Sequence, residues 1–212
     1  MASDKGILIV LSGFSGSGKG TVVKHLLAKY PQDFALSVSA TTRSPREGEE
    51  EGVSYFFRSR EQFEQMIAQG ELLEYAEYVG NYYGTPLSYV REKLAAGQNV
   101  ILEIETQGAM KVKAEHPDTL LLFMTPPDAG ELIRRLKNRG TEDDATITAR
   151  MKQAAEETRV MDAYDYIVVN DDVDACAQKI LSIIQCEKSS AKRNPELIEK
   201  FRLGLQDILK GE

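Results

Sequence analysis

The chain has 212 residues, 42% hydrophobic and 28% charged, proportions that allow one sizeable buried core and exclude a disordered or fibrous protein. Its formal net charge of -7 argues against a protein that coats nucleic acid, which needs a surplus of Lys and Arg facing phosphates. A small anionic ligand needs only a local cluster of cations, for which Lys19, Arg43, Arg46, Arg135, Arg139 and Arg150 are candidates.

The first apolar run, residues 7–11, reads as a strand buried on both faces. It is far too short to span a bilayer, and the acidic Asp4 does not suit a signal peptide, so the cytoplasm is the expected location and no membrane partner is expected. GFSGSGKGT follows at once, from Gly13 to Thr21, and a predicted helix over 21–30 follows that. Strand, Gly-rich loop and helix in that order make a phosphate-binding loop. Gly13, Ser15, Gly16, Ser17 and Gly18 can curl so that backbone N–H groups face phosphate oxygens, the helix N-terminus adds its positive end, and Lys19 supplies a mobile charge. Gly20 stands where a Ser or Thr is expected, with Thr21 the nearest hydroxyl. A Mg²⁺ ion would then be held mainly by nucleotide oxygens and water, which suits its reluctance to dehydrate. His25 is expected on the surface of this helix, without a catalytic role.

A weaker strand is predicted at 35–38, and the run SVSATTRSPREGE, Ser37 to Glu49, carries Arg43 and Arg46 on a loop. Two guanidiniums three residues apart can fork onto one phosphate, or lie on a solvated charged loop. Residues 41–85 break the buried-strand rhythm and read as an inserted antiparallel subdomain. Ser59 and Gln62 form a capping box for a helix to residue 68, with Phe63, Met66 and Ile67 on one face. Tyr55, Glu74 and the NYYGT segment, with Tyr83 and Thr85, concentrate phenols and a carboxylate here. A carboxylate accepting from N–H groups suits a guanine edge and not adenine; aromatic packing beside an exposed Glu is the other reading. Thr85 reads as an N-cap, Pro86 as the first residue of a helix over 86–96, and Gly97 as its stop.

A strand at 100–104 places Glu103 and Glu105 on either side of Ile104, before a turn at Gln107 and Gly108. Ligands collect at the carboxyl ends of parallel strands, so one acid can orient Mg²⁺ or its waters while the other faces an acceptor base. Further on come a helix over 108–115 ending at His116, a strand at 120–124 and a helix over 128–138. Arg135 and Arg139 share a face four residues apart. A polar flap over 137–144, containing Gly140, leads to a long helix over 144–161 carrying Arg150. Closing the flap brings these cations over a polyphosphate; surface ion pairs with Glu142, Asp143 or Glu156 are the alternative. A strand at 166–169 and a helix over 174–185 complete the alternation, which implies a parallel α/β sheet with helices on both faces. Cys176 and Cys186 lie in that helix about 15 Å apart by helical rise, too far for a disulfide, and read as buried thiols. The two histidines and two cysteines offer no zinc site. A polar linker over 187–193 precedes a last amphipathic helix that starts at Asn194 and Pro195.

The phosphate loop, SVSATTRSPREGE, GNYYGT, LEIETQGA, RLKNRGTE and IVVNDD occur in the order found in guanylate kinases, and residues 7–185 resemble that family. The resemblance implies ATP-dependent, Mg²⁺-assisted phosphorylation of GMP, and of dGMP, by a single domain with a P-loop kinase core (1–40, 86–136 and 153–186). It also implies a GMP-binding α+β insert over 41–85 and an arginine lid over 137–152; residues 187–212 lie outside it as an extension. By the same resemblance Arg43, Arg46, Tyr55 and Tyr83 hold the GMP phosphate, and Ser39, Glu74, Thr85 and Glu103 surround the guanine with Glu105 nearby. The loop residues Gly13 and Ser15 to Thr21, with Gly20 among them, seat ATP. Lys19, Arg135, Arg139 and Arg150, with Arg43, are the catalytic cations, and Asn170 lies where the ATP adenine passes. Phe14, Thr85 and Glu105 stand where the family more often has Pro, Ser and Asp; Phe14 is expected to loosen the first turn of the loop slightly. A phosphopeptide-binding module without nucleotide chemistry and a kinase for another nucleoside monophosphate are the competing readings.

Overall fold

The computed structural model describes residues 5–78, 80–138 and 144–210. Its main sheet has five strands, all parallel, in the order β2-β7-β1-β8-β9. They are β1 (Leu8–Gly13), β2 (Phe34–Leu36), β7 (Asn99–Leu102), β8 (Leu120–Thr125) and β9 (Tyr166–Val169). The period-two alternation of strands explains why both faces are covered. Ile9, Leu11, Leu120, Leu122 and Met124 point into one core with α1 (Lys19–Lys29) and α7 (Val173–Lys188). Val10, Val100, Leu102, Leu121 and Phe123 point into a second core with α3 (Leu87–Ala95), α4 (Thr106–Glu115), α5 (Ala129–Asn138) and α6 (Asp144–Glu157). Asn99 closes the edge: its Oδ1 accepts from Ile7 N at 3.0 Å and its Nδ2 donates to Asp33 O at 2.9 Å.

Between Ala40 and Pro86 the chain builds a separate four-stranded mixed sheet, β4-β3-β6-β5. Its strands are β3 (Ala40–Thr41), β4 (Phe56–Phe57), β5 (Leu72–Tyr78) and β6 (Asn81–Pro86), with α2 (Arg60–Ala68) packed beside them. The capping box forms: Ser59 Oγ accepts from Gln62 N at 3.2 Å and Gln62 Oε1 accepts from Ser59 N at 2.9 Å. After β9 and α7, a 3-10 turn at Ala191–Arg193 leads to α8 (Pro195–Lys210). Among the described residues no helix is long and apolar enough to cross a membrane.

Several local expectations are corrected. Thr85 and Pro86 belong to β6, and helix α3 begins only at Leu87 with Pro86 as its N-cap, because β6 extends its pairing as far as Leu72 opposite Pro86. Gly97 does end the helix at φ 84, with Gln98 N donating to Lys93 O and Gly97 N to Leu94 O. Strand β7 stops at Leu102, so Glu103 and Glu105 lie beyond it, and Gln107 and Gly108 sit inside α4 with Glu105 as its N-cap. The helix expected over 144–161 is α6 followed by a 3-10 turn at Thr158–Ala163. Cys176 is buried, but Cys186 is exposed, because the helix rotates it away from the face carrying Ile180, Ile183 and Ile184.

Candidate functional site

The phosphate loop leaves the carboxyl end of β1, between β7 and β8, where the connections diverge to opposite sides of the sheet. Its first residue must be glycine: a Cβ on Gly13 at φ 146 would lie 2.0 Å from Met124 O. The loop closes on itself through Ser17 N to Phe14 O at 3.0 Å, and Gly18 at φ 90 turns the chain into α1. Phe14 anchors the turn rather than loosening it, because its buried ring meets Phe123 edge-on at 5.0 Å. Lys19 lies back across the loop, donating to Gly13 O at 2.6 Å and Phe14 O at 3.2 Å. Ser15, Gly16, Gly18, Lys19, Gly20 and Thr21 line one cleft with Glu103, Glu105 and Arg150.

Three carboxylates edge this cleft. Glu103 is exposed at the cleft edge, and partial burial of its carboxyl pushes it up, partly offset by the charges of Lys19 and Lys24. Glu157 is only 7% exposed. Burial pushes its carboxyl up and the nearby Glu105 adds to this, while Gln153, donating at 2.9 Å, and Lys19 pull it down. Sequence reasoning missed Glu157 and Gln153. Their signal is the spacing Arg150, Gln153, Glu157 on α6, which puts all three on one helical face. No group of three or more His, Cys, Asp or Glu at metal-binding proximity exists among the described residues. A Cβ on Gly20 would meet only Glu103 Oε2, at 4.0 Å, so that side of the cleft is open.

Two of the expected arginines reach the loop. Arg135 donates from Nε to Glu131 Oε1 at 2.6 Å and approaches Ser17 O at 3.4 Å, and Arg150 donates to Ser15 Oγ. Arg134 and Arg135 together hold the Glu131 carboxyl down to about 2. Arg139 and Gly140 lie outside the described residues. Asn170 is buried behind the loop, where its amide donates to Ser17 O at 2.7 Å.

The insert carries a second constellation. Arg43 grips both oxygens of Glu49, at 2.7 and 2.9 Å, and lies 5.4 Å from the Tyr55 ring centroid. Tyr83 meets Tyr55 edge-on at 6.1 Å and its hydroxyl interacts with Arg43. Arg46 presents its backbone N–H to the same Glu49 carboxylate at 2.7 Å. Glu49, the last residue of the motif and not singled out as a site residue, thus accepts from both arginines. Deeper in the insert, Thr85 Oγ1 donates to Glu74 Oε1 at 2.7 Å across β5 and β6. Burial pushes the Glu74 carboxyl up, against the Thr85 hydrogen bonds and the charge of Lys111. Ser39 precedes β3 and offers its carbonyl to Phe56 N at 2.8 Å.

Comparison with known proteins gives the family. The guanylate kinase family model matches residues 5–187. The chain is 52% identical over 200 residues to the guanylate kinase of Latilactobacillus sakei, covering 94% of this chain and 97% of that one. To the guanylate kinase of Bacillus subtilis it is 53% identical over 190 residues, covering 90% and 93%. A crystal structure of guanylate kinase from Anaplasma phagocytophilum superposes with a TM-score of 0.70 at 34% identity, covering 92% of this chain and 93% of that one. A phosphate loop at the switch point of a parallel sheet, an arginine-bearing insert and these matches together place the chain in the guanylate kinase family.

Proposed function

We propose that this protein transfers the terminal phosphoryl group of ATP to GMP, and to dGMP, giving ADP and the corresponding diphosphate. The observation that carries this reading is the pairing of two anion seats of different construction: the Gly13 to Thr21 loop, and the Arg43–Glu49–Arg46 arrangement beside Tyr55 and Tyr83. The loop seats the ATP phosphates. Arg43, Arg46, Tyr55 and Tyr83 take the GMP phosphate in place of Glu49, while Glu74 accepts from the guanine N–H edge with Thr85 beside it, and Ser39 and Glu103 border the base.

An oxygen of the GMP phosphate attacks the γ-phosphorus of ATP; the new P–O bond forms as the bond to the β–γ bridging oxygen breaks, and ADP leaves with that electron pair. The nucleophile is already an anion, so no general base is needed, and the work lies in positioning and charge neutralisation. Lys19, Arg135, Arg139 and Arg150 supply that charge on the donor side, and Arg43 on the acceptor side. Lys19 must swing from the Gly13 and Phe14 carbonyls onto phosphate oxygens. Mg²⁺ fits a cleft edged by Glu105 that has no three-ligand cage among the described residues: Glu105 would hold its waters, and the ion would neutralise charge on the transferring phosphate. With both substrates being metabolites of the cell interior, the cytoplasm is the proposed site of action. The test is ADP release with a panel of nucleoside monophosphates in the presence of ATP and Mg²⁺. GMP-selective release is expected; absence of GMP-dependent release would overturn the reading.

A further inference from the structure

We propose that Asn170 is a positioning residue for the phosphate loop: from the end of β9 it holds the Ser17 carbonyl outward, so that the loop N–H groups face the donor phosphates. The inference rests on the reading of Gly13 to Thr21 as the donor seat.

Asn170 is 3% exposed and is fixed at both ends. Its backbone N donates to Thr125 O at 2.8 Å, tying it to β8, and its Nδ2 donates to Ser17 O at 2.7 Å across 153 residues of sequence. It is absent from the cleft wall formed by Ser15, Lys19, Thr21 and Arg150, so it stands behind the loop. The fit there is close: a Cβ on Gly18 would lie 2.5 Å from Asn170 Nδ2.

What this hydrogen bond fixes is the direction of one peptide unit. An anion nest needs successive N–H groups inward and hence the carbonyls outward. A Ser17 carbonyl turned the other way would aim its oxygen at phosphate oxygens and remove the Gly18 N–H from the cradle. Gly18 at φ 90 leaves the backbone free to make that turn, so something outside the loop must prevent it. The Asn170 amide does so, assisted by Arg135, whose Nη1 is 3.4 Å from the same oxygen. Ser17 Oγ and Asn170 Oδ1 are both buried without a hydrogen-bond partner in the structure.

The experiment is calorimetric titration of the full chain with ATP, inorganic tripolyphosphate and GMP, comparing the unmodified protein with Asn170→Ala and Asn170→Asp. Tripolyphosphate has no base or ribose, so titrated with GMP saturating the Arg43 and Arg46 seat it reads the loop alone. Both variants are expected to lose about tenfold in affinity for ATP and for tripolyphosphate alike, with GMP affinity changed by less than about twofold. Asn170→Asp keeps the side-chain shape while facing the Ser17 carbonyl with an acceptor, and it provides the measurement should Asn170→Ala melt below the assay temperature. Unchanged tripolyphosphate binding in a folded variant overturns the proposal. So does a loss confined to ATP, which would mean contact with the adenosine, and so does a parallel loss of GMP binding, which would mean general disorder. If the unmodified protein binds neither ATP nor tripolyphosphate, the reading of the loop falls and this inference with it.

Discussion

In the proposed function acceptor choice rests on one carboxyl group, that of Glu74. It accepts from Thr85 and is pushed up by burial, so part of its population is protonated at a pH where an exposed Glu is fully ionised. Only the ionised form has two acceptors for a guanine N–H edge. The KM for GMP should therefore rise as pH falls through the raised Glu74 pKa. Glu74→Gln should raise it about 10- to 100-fold and remove that limb of the pH profile; steady-state kinetics from pH 5 to 8 would check both. Glu157 has the opposite leverage, on stability. Its carboxyl is also raised, so the folded state holds a proton that the unfolded state has released, and stability falls as pH rises from the ordinary carboxylate range through the folded pKa. Glu157→Gln should raise the melting temperature near neutral pH and flatten its decline with pH, as differential scanning fluorimetry across pH would show. The two residues also mark what sequence reading can reach. Lys19 stands in a contiguous motif whose chemistry follows from its place between strand and helix, whereas the spacing of Arg43 and Arg46 left a solvated loop open and only the resemblance pointed to a phosphate. Glu157 is one acid among several on a polar helix, and its burial exists only because α6 packs beside the phosphate loop. Asn170 was legible as a strand-end residue, but the direction of its amide was not.

At the scale of elements, local signals served well where the chain itself meets the demand. The Ser59 and Gln62 box and the Gly97 stop are short-range hydrogen-bond patterns, and both form. The errors fall where tertiary pairing overrides the local cue: Pro86 suits a first helical position, yet β6 draws it into a strand. Because α2 contributes only one fully buried residue, Phe63, its cap should matter. Ser59→Ala is expected to cost the helix about 1 kcal/mol and to speed amide exchange at residues 61–63 several-fold, leaving exchange in β1 and β8 unchanged. Gly13→Ala is the severe counterpart. With the added carbon 2.0 Å from Met124 O, the loop must pull away from β8, which would show as loss of ATP binding together with a large drop in the unfolding midpoint in urea.

Across the whole molecule the two cores divide the labour. The face with α1 and α7 is closed and apolar, and it fixes the root of the phosphate loop, whereas the face with α5 and α6 carries Arg135 and Arg150 onto that loop. Helix α8 belongs to neither. It packs mainly on the 3-10 turn before it, and Leu197, Ile198, Phe201, Leu205, Ile208 and Leu209 remain exposed, Phe201 by 64% and Leu209 by 71%. An apolar stripe that stays in water contributes little to folding, and none of its residues borders either anion seat. A chain ending at Arg193 should therefore unfold cooperatively within about 3 °C of the full chain, since about 1 kcal/mol corresponds to 2–4 °C at this size. Its kcat and both KM values should be unchanged, while binding of an apolar fluorescent dye should fall. A larger loss of melting temperature would mean that the stripe is covered in solution.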